Sequence, residues 1–551
     1  MKNYFYILFA SSLILQAGCK TQIDSFDTTK LDNTALAAIT EDSYKKYVVD
    51  LASDELLGRK PFTKGDTLTV QYIEQQFKNL DLLPGNGSSY FQEVPMVEIT
   101  SKPTNTTLTF QGTNGNITVN HLDDYVIGTR KIQDKVNINS TDLVFAGFGI
   151  VAPEFGWNDY KDIDVKGKTV VVMVSDPGRY DKSLFKADTM TYYGRWNYKF
   201  EEAGRQGATG ILLIHDSPAA SYGWEVVRSG WSGPQLNLTT DTAPVPDFEG
   251  WVNNKTAQEL FKIGGLNPSV IEAAKKKGFQ AIPMNVKTTV DLENTYRYAN
   301  SNNVVAKIEG SSRPEETIIY TAHWDHLGIG EPVNGDSIYN GAIDNAAGVA
   351  ALFEIAKAFK AATYKPERSI IFIALTAEEE GLLGSSHYAN NPIYPLNKTV
   401  ANLNMDAFSP LGATKDVSVV GYGQTEIEDY VERSASKFGR IVHGEKNPTS
   451  GGFYRSDHFN FVKKGVPGLF MGSGSELISK DSTLIEQRKK ALSNRYHAPA
   501  DQVDENWDFN GIIEDIKLFF DIGYTMSLEK TFPQFKLKSE FRELGEKRLS
   551  K

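Results

Sequence analysis

The chain of 551 residues contains a single cysteine, Cys19. A disulfide within the chain and a zinc site built from cysteines are both excluded, so any metal must be bound by histidine, aspartate and glutamate. Basic residues are also outnumbered. The 58 Lys and Arg against 69 Asp and Glu give a formal net charge of -11. This balance argues against a nucleic-acid-binding protein, because phosphate contacts need a basic surface.

Long apolar runs are lacking beyond the N-terminus, and the sequence predicts no later transmembrane segment. Lys2 precedes an apolar run from Tyr4 to Ala17, which is too short to span a bilayer and is typical of a signal peptide. The run ends in Gln16-Ala17-Gly18-Cys19, which resembles the cleavage box of bacterial lipoproteins. We therefore expect an exported protein that loses residues 1–18 and is anchored to a bacterial membrane through lipid on Cys19. A plain secretory signal with an incidental cysteine is the alternative.

A length of 551 residues predicts two or three domains. Residues 19–40 are polar and are predicted to form a tether, and residues 531–551 a solvated, charged tail. Helical spacing of apolar residues dominates 41–100, whereas 101–295 contain short alternating strands and predict a small, β-rich module. In residues 296–530 strands alternate with helices. This order predicts an α/β domain with a mixed, mostly parallel sheet sandwiched by helices.

Side chains that can bind metal follow the predicted strands of this α/β domain. In open α/β sheets the ends of parallel strands meet at one edge, where ligands bind. Each side chain alone could be a helix cap or a surface group, and His326 and His387 are expected to be surface residues. Burying several carboxylates together is costly unless cations hold them, so their coincidence predicts a metal site. The candidates are His323, Asp325, Asp344, Glu378, Glu379, Asp406 and His497.

Asp325 has a distinct predicted task. It lies two residues after His323, so both side chains point to one side of the strand. Its carboxylate can accept the second ring N–H of His323 and fix that ring's orientation. Asp501 is placed to do the same for His497.

The segments HWDHLG, GAIDNAAG, AEEEGLLGS, NMD and YHAPAD resemble the co-catalytic zinc exopeptidase family. That family includes bacterial leucyl-type aminopeptidases, glutamate carboxypeptidase II and the inactive transferrin receptor. The resemblance covers residues 41–100 and 296–530 and implies the zinc-exopeptidase (phosphorylase/hydrolase-like) fold. Residues 101–295 resemble the protease-associated domain that several members carry as an insertion.

The resemblance implies a role for each candidate in a centre of two zinc ions. Asp344 bridges the ions, His323 and Asp406 complete one site, and Glu379 and His497 complete the other. Glu378 is the implied general base. The Gly-Leu-x-Gly-Ser that follows sets this register and leaves Glu380 as a non-ligand. Each zinc then has three protein ligands and a shared water, as catalytic zinc requires.

Two further features follow from the resemblance. The segment from Tyr454 to His458 resembles a loop near the substrate pocket, and Tyr454 or His458 is a candidate to bind the oxyanion. For His458, packing of the loop is an equal alternative. The resemblance also implies a cis peptide bond between Asp344 and Asn345, which is very rare outside proline.

The leading hypothesis is an aminopeptidase that removes N-terminal residues from a peptide substrate outside the cytoplasm. A glutamate-carboxypeptidase-like enzyme or a single-zinc glutaminyl cyclase would keep the fold and change the chemistry. A receptor or binding protein on the same fold is the non-enzymatic alternative. The complete set of ligands and base favours the hydrolase.

Overall fold

The structure is a computed structural model that describes residues 27–550. The predictions for residues 1–18 and for Cys19 therefore lie outside the described residues. The helices are α1 Asn33–Ala37, α2 Glu41–Leu51, α3 Lys64–Asn79, α4 Trp196–Arg205, α5 Ser217–Ala220, α6 Trp224–Gly230, α7 Asn254–Ile263, α8 Val270–Ala274, α9 Ala347–Ala361, α10 Leu383–Asn390, α11 Ile427–Lys437, α12 His458–Val462, α13 Ser482–Leu492, α14 Phe509–Leu528 and α15 Arg542–Leu549.

The strands are β1 Leu83–Pro84, β2 Phe91–Pro103, β3 Thr107–Gly112, β4 Gly115–Asn120, β5 Tyr125–Gly128, β6 Lys135–Phe145, β7 Val151–Ala152, β8 Trp157–Asn158, β9 Thr169–Met173, β10 Gly210–His215, β11 Gln235–Leu238, β12 Phe248–Asn253, β13 Ile282–Ile308, β14 Arg313–His323, β15 Gly328–Val333, β16 Asp336–Tyr339, β17 Arg368–Leu375, β18 Thr399–Asn404, β19 Asp416–Val419, β20 Ile441–Gly444 and β21 Gly468–Ser473.

The C-terminal half contains a mixed sheet in the order β1–β13–β17–β14–β18–β21–β19–β20. Its four central strands, β17, β14, β18 and β21, are parallel to one another. Successive residues of β17 enter different cores, because side chains alternate across a strand. Phe372 packs on the face that α9 and α14 cover, and Ile373 packs on the face that α10 and α12 cover. The predicted α/β fold, with helices on both faces of a mostly parallel sheet, is confirmed.

The region of residues 101–295 has hydrophobic cores of its own. Strands β6, β9, β10 and β12 are parallel, and β5 pairs with β12 in the antiparallel sense. Their apolar residues form two clusters separate from that of the C-terminal half. The 27-residue strand β13 connects the two regions. Its first part pairs with β3 and β6, its middle with β2, and its last residues with β17.

Both ends of the described chain are more ordered than the sequence predicts. Helix α1, expected within the tether, buries Leu36 in the core of the C-terminal half. In the predicted solvated tail, Phe535 and Phe541 are buried, and the guanidinium of Arg548 donates to the carbonyls of Leu396 and Thr399. Both predictions are wrong here, because a few apolar residues bury themselves although charged neighbours stay in solvent. Within residues 27–550 no helix is both long and apolar enough to cross a membrane.

Candidate metal centre

The ends of the parallel strands bring the first group of ligands together. His323 is the last residue of β14, and Asp406 lies two residues beyond the end of β18. His323 Nε2 lies 3.1 Å from Asp344 Oδ1 and 3.3 Å from Asp406 Oδ1. These three side chains place one ligand atom each close enough together to hold a metal ion.

A second group shares Asp344. His497 Nε2 lies 3.0 Å from Glu379 Oε2 and 3.5 Å from Asp344 Oδ2. The two oxygens of Asp344 thus face different histidines, which is the arrangement a bridging ligand needs. His326, which the sequence left as a surface residue, is 1% exposed and lies 2.8 Å from Glu379 through Nδ1. The structure therefore brings together all five predicted ligands and adds His326.

The chemistry of this group fits divalent metal ions. Imidazole nitrogens and carboxylate oxygens are the ligands that zinc takes when cysteine is absent. His497 Nε2 is buried and has no hydrogen-bond partner among the described residues, as expected of a nitrogen that faces an ion. No lysine or arginine of the described chain pairs with these carboxylates. Cations are required to offset so many buried negative charges.

The titration of the histidines shows the same need. Burial alone would lower the pKa of His323, but the carboxylates of Glu378 and Asp406 raise it well above its usual value. Burial would also lower the pKa of His497, and contact with Asp344 and Glu379 raises it to about 10. These raised pKa values reflect the surplus of negative charge around the two rings, which metal ions would offset.

Glu378 lies in the same centre, beside His323, and pairs with no lysine or arginine of the described residues. Its Oε2 is 4.0 Å from His323 Nε2. Burial raises the pKa of this carboxyl well above its usual range, and Asp406 and Glu379 raise it further. A carboxylate that holds a proton more readily than usual is suited to act as a general base. Glu380 instead points away and pairs with Lys60 at 3.5 Å.

Two orienting carboxylates act differently from the prediction. His323 Nδ1 lies 3.1 Å from the backbone carbonyl of Asp325, while the carboxylate of Asp325 accepts the backbone N–H groups of Glu378 and Glu379. Asp501 accepts the backbone N–H groups of Ile343 and Asp344 rather than the ring of His497. Both side chains hold the loops that carry ligands, because those loops present free N–H groups beyond the strand ends.

The profile of Peptidase family M28 matches residues 303–520, the part of the chain that contains every ligand of this centre. Residues 303–520, called the M28 domain below, are thus similar to peptidase family M28. Over 185 residues the chain is 30% identical to aminopeptidase NAALADL1 of Rattus norvegicus, covering 29% of this chain and 23% of that protein. Over 240 residues it is 32% identical to carboxypeptidase Q of Bos taurus, and this match covers 39% of this chain and 46% of that protein. The matched part of the chain thus spans between about a quarter and a half of the length of these two relatives.

A solved structure extends the likeness of fold to most of the chain. The aminopeptidase from Aneurinibacillus sp. strain AM-1 has a TM-score of 0.51 and 18% sequence identity. The alignment covers 90% of this chain and 95% of that one. The two proteins therefore share the fold of the M28 domain together with its flanking regions.

The backbone of the M28 domain at Asp344 has the predicted cis bond to Asn345. Asn345 then bridges two segments of the centre. Its Nδ2 donates to the carbonyl of Met405 at 3.0 Å, and its Oδ1 accepts the N–H of Gly348 at 2.9 Å. These bonds connect the loop of Asp344, the start of α9 and the residue before Asp406.

Tyr454 and His458 do not reach the metal centre. The Tyr454 hydroxyl is buried and donates to Glu540 Oε1 at 2.9 Å and to the carbonyl of Met190 at 3.1 Å. His458 packs against the rings of Phe453 and Phe470, and burial lowers its pKa to about 3. The structure thus gives the Tyr454 hydroxyl partners outside the metal centre, and it places the ring of His458 in the packing of its loop.

Ser456, between them in the sequence, is the residue that does touch the centre. Its hydroxyl donates to Asp406 Oδ2 at 2.5 Å and accepts from Asn404 Nδ2 at 2.7 Å. Asp406 therefore presents its other oxygen, Oδ1, to His323. The sequence offered no signal for this contact, since a single serine near a candidate loop is common.

Arg59 is a second residue that sequence reasoning missed. It is 1% exposed, and its guanidinium donates to the carbonyls of Trp324, Gly341, Leu51 and Asn340. Trp324 follows His323, and Gly341 begins the turn that carries Asp344. One arginine from the N-terminal segment thus fixes two ligand-bearing loops of the M28 domain.

Tyr454→Phe is expected to lower stability and to leave turnover within about threefold of wild type. The substitution removes one donor to Glu540, a charged and buried acceptor, which costs about 1–3 kcal/mol. Glu540 retains its ion pair with Lys186 at 2.9 Å. Denaturant unfolding and initial rates on the same preparation measure both quantities. A loss of turnover of a hundredfold with unchanged unfolding would restore the oxyanion role.

Proposed function

We propose that the chain is a zinc aminopeptidase that releases N-terminal residues from peptides with a centre of two zinc ions. The observation that carries this proposal is the sharing of Asp344. One of its oxygens faces His323 beside Asp406, and the other faces His497 beside Glu379. The two groups of side chains would hold one ion each, with Asp344 common to both.

When bound, zinc ions polarise the scissile carbonyl and activate a water molecule. Glu378 is placed to accept a proton from that water and to pass it to the leaving amine. Asp325 fixes the backbone of Glu378 through the N–H group that it accepts at 3.0 Å. The base is therefore held in place by the same loop that carries the ligand Glu379.

Tyr496 is the hydroxyl that we propose for the oxyanion in place of Tyr454. Its ring stacks on His497 with centroids 3.8 Å apart, and the residue is 76% exposed. It therefore stands at the open side of the centre, where a substrate must enter. Partial desolvation, together with the carboxylates of Asp344 and Glu379, raises the pKa of this phenol above its ordinary value. It is therefore protonated at neutral pH and can donate to the developing oxyanion.

The net charge of the centre does not select one end of a peptide. Two Zn²⁺ ions balance the charges of Asp344, Glu379, Asp406 and Glu378, and transfer of the water proton to Glu378 leaves that balance unchanged. The likeness to proteins named as aminopeptidases supports the amino end. A relative named as a carboxypeptidase makes release from the other end the second candidate.

The proposal is tested with four substrates and a chelator. Free aminoacyl p-nitroanilides should be hydrolysed, and their N-acetylated forms should not. N-blocked peptides with a free C-terminus would be cleaved by a carboxypeptidase, and glutaminyl peptides would be cyclised by a glutaminyl cyclase. Chelation should abolish the activity and zinc should restore it. A zinc-loaded protein that converts none of these substrates would favour a receptor or binding protein.

Tyr496→Phe is expected to lower turnover by about a hundredfold, which is typical for the loss of one oxyanion donor. Because phenylalanine still stacks on His497, the zinc content should equal that of the wild type. Steady-state kinetics with metal analysis separates the two effects. Wild-type turnover in this variant would remove the hydroxyl from the mechanism.

We also propose that the protein is exported and anchored to a bacterial membrane through lipid on Cys19. Support comes from the sequence alone, in which the single cysteine follows an apolar leader. Cys19→Ser is expected to move the protein from the membrane fraction to the soluble fraction without loss of activity. Equal partitioning of variant and wild type would favour the plain secretory signal.

A further inference from the structure

His326 is a buried residue of the metal centre with no role in the scheme above. It is 1% exposed, and its Nδ1 lies 2.8 Å from Glu379 Oε1. Its ring meets that of His497 edge to face, with centroids 5.6 Å apart. Its Nε2 is buried and has no hydrogen-bond partner among the described residues.

The turn before Asp344 leaves room for this ring. Gly341 has a φ of 56°, and a Cβ atom built on it would lie 2.6 Å from Cγ and Cδ2 of His326. Any other residue at 341 would therefore clash with the imidazole, and also with the carbonyl oxygen of Asp344. The ring is held between the Gly341 turn on one side and the carboxylate of Glu379 on the other.

His326 could act as a metal ligand or as a partner of one. With Asp344 and Glu379 it forms a group of three side chains whose ligand atoms lie close enough together to hold an ion. The two oxygens of Glu379, however, have different partners. Oε1 faces His326 and Oε2 faces His497, which also lies near Asp344. An ion between Glu379 Oε2 and Asp344 is therefore completed by His497, while His326 faces the other oxygen.

We propose that His326 is a positioning residue for the second metal subsite. Its Nδ1–H donates to Glu379 Oε1 and holds Oε2 towards His497 and Asp344. A carboxylate that is already oriented loses less freedom when an ion binds, and such partners contribute about 10–100-fold in metal affinity. The inference rests on the metal centre of the proposed function and adds the residue that fixes one of its ligands.

Two substitutions distinguish a positioning residue from a ligand. His326→Ala removes the donor. His326→Asn places an amide N–H at the same number of bonds from the backbone as Nδ1 and offers no imidazole to a metal. If His326 positions Glu379, asparagine restores what alanine loses. If His326 is a ligand, both variants fail alike.

The experiment is stepwise zinc binding to the full chain, measured by competition with a chromophoric chelator. We expect His326→Ala to weaken binding of one of two ions by about 10–100-fold and to leave the other unchanged. His326→Asn should bind within a few-fold of wild type. The absorption spectrum of Co²⁺ bound to His326→Ala at saturation should match that of wild type, because the ligands are the same.

His387→Ala is the matched control, since His387 is also a buried histidine, at 7% exposure, and lies outside the centre. It should bind both ions like wild type. An unchanged affinity in His326→Ala would overturn the inference, and so would failure of His326→Asn together with an altered Co²⁺ spectrum. A wild-type chain that binds no zinc would overturn the proposed function itself, which distinguishes the two failures.

Discussion

Glu378→Gln is expected to keep the metal content of the wild type and to lower turnover by about 10²–10⁴-fold, the range that general acid–base catalysis contributes. The amide has the size of the carboxylate but cannot accept a proton. Glu378 makes no contact shorter than 4.0 Å with His323 Nε2. The ligands of both subsites therefore stay in place. Turnover on an aminoacyl p-nitroanilide, with zinc determined on the same sample, measures the effect.

Glu379 supplies the control for the assignment of Glu378 as the base. Glu379 contacts His326 and His497 through its two oxygens, so Glu379→Gln should lose metal affinity as well as turnover. Glu380→Gln should do neither, because Glu380 pairs with Lys60 outside the centre. Should Glu378→Gln shed zinc and Glu379→Gln keep it, the assignment of base and ligand would have to be exchanged.

Asp344→Asn is expected to cause the largest loss, because Asp344 alone faces both groups of ligands. Its carboxylate oxygens lie 3.1 Å from His323 Nε2 and 3.5 Å from His497 Nε2. Each ion would keep two protein ligands, and the amide brings one negative charge less. Loss of a ligand's hydrogen-bond partner lowers metal affinity by about 10–100-fold. Loss of the shared ligand should lower the affinity for both ions by more than that. Activity should fall to the background rate.

Asp406→Asn is the comparison for this experiment. Asp406 contacts His323 and Ser456 and belongs to one group of ligands only. Asp406→Asn should weaken the binding of one ion strongly and that of the other much less, whereas Asp344→Asn should weaken the binding of both. Zinc-to-protein ratios across a titration report the difference. Equal patterns in the two variants would contradict the bridging role of Asp344.

Residues 101–295 bear on the site through a contact that no motif indicated. Glu540 of the C-terminal segment accepts from Tyr454, which precedes Ser456 by two residues, and pairs with Lys186. Ser456 in turn donates to Asp406. One buried carboxylate thus joins the segment that contains Lys186 to the loop beside a metal ligand. Its own sequence context, a run of charged residues, predicted a solvated tail.

The candidate ligands could be predicted from the sequence because strand order and residue type constrain them, and the resemblance to a known family then gave each its role. His323 and Asp406 follow apolar strands that are buried on both faces, and parallel strands end at one edge of the sheet. The apolar runs of β14, β17 and β18 also predicted the sheet itself. The pattern of apolar residues within one strand is sufficient to predict its burial and the position of its last residue.

Tertiary structure alone decided what surrounds the ligands. The roles of Asp325, His326 and Tyr454 depend on side chains that approach from segments distant in sequence. Asp325 turns to the loop after β17 because N–H groups lie free there, and Tyr454 turns to Glu540 because a buried carboxylate needs donors. Hydrogen bonds of this kind are set by packing between segments, and no periodicity within one segment records them.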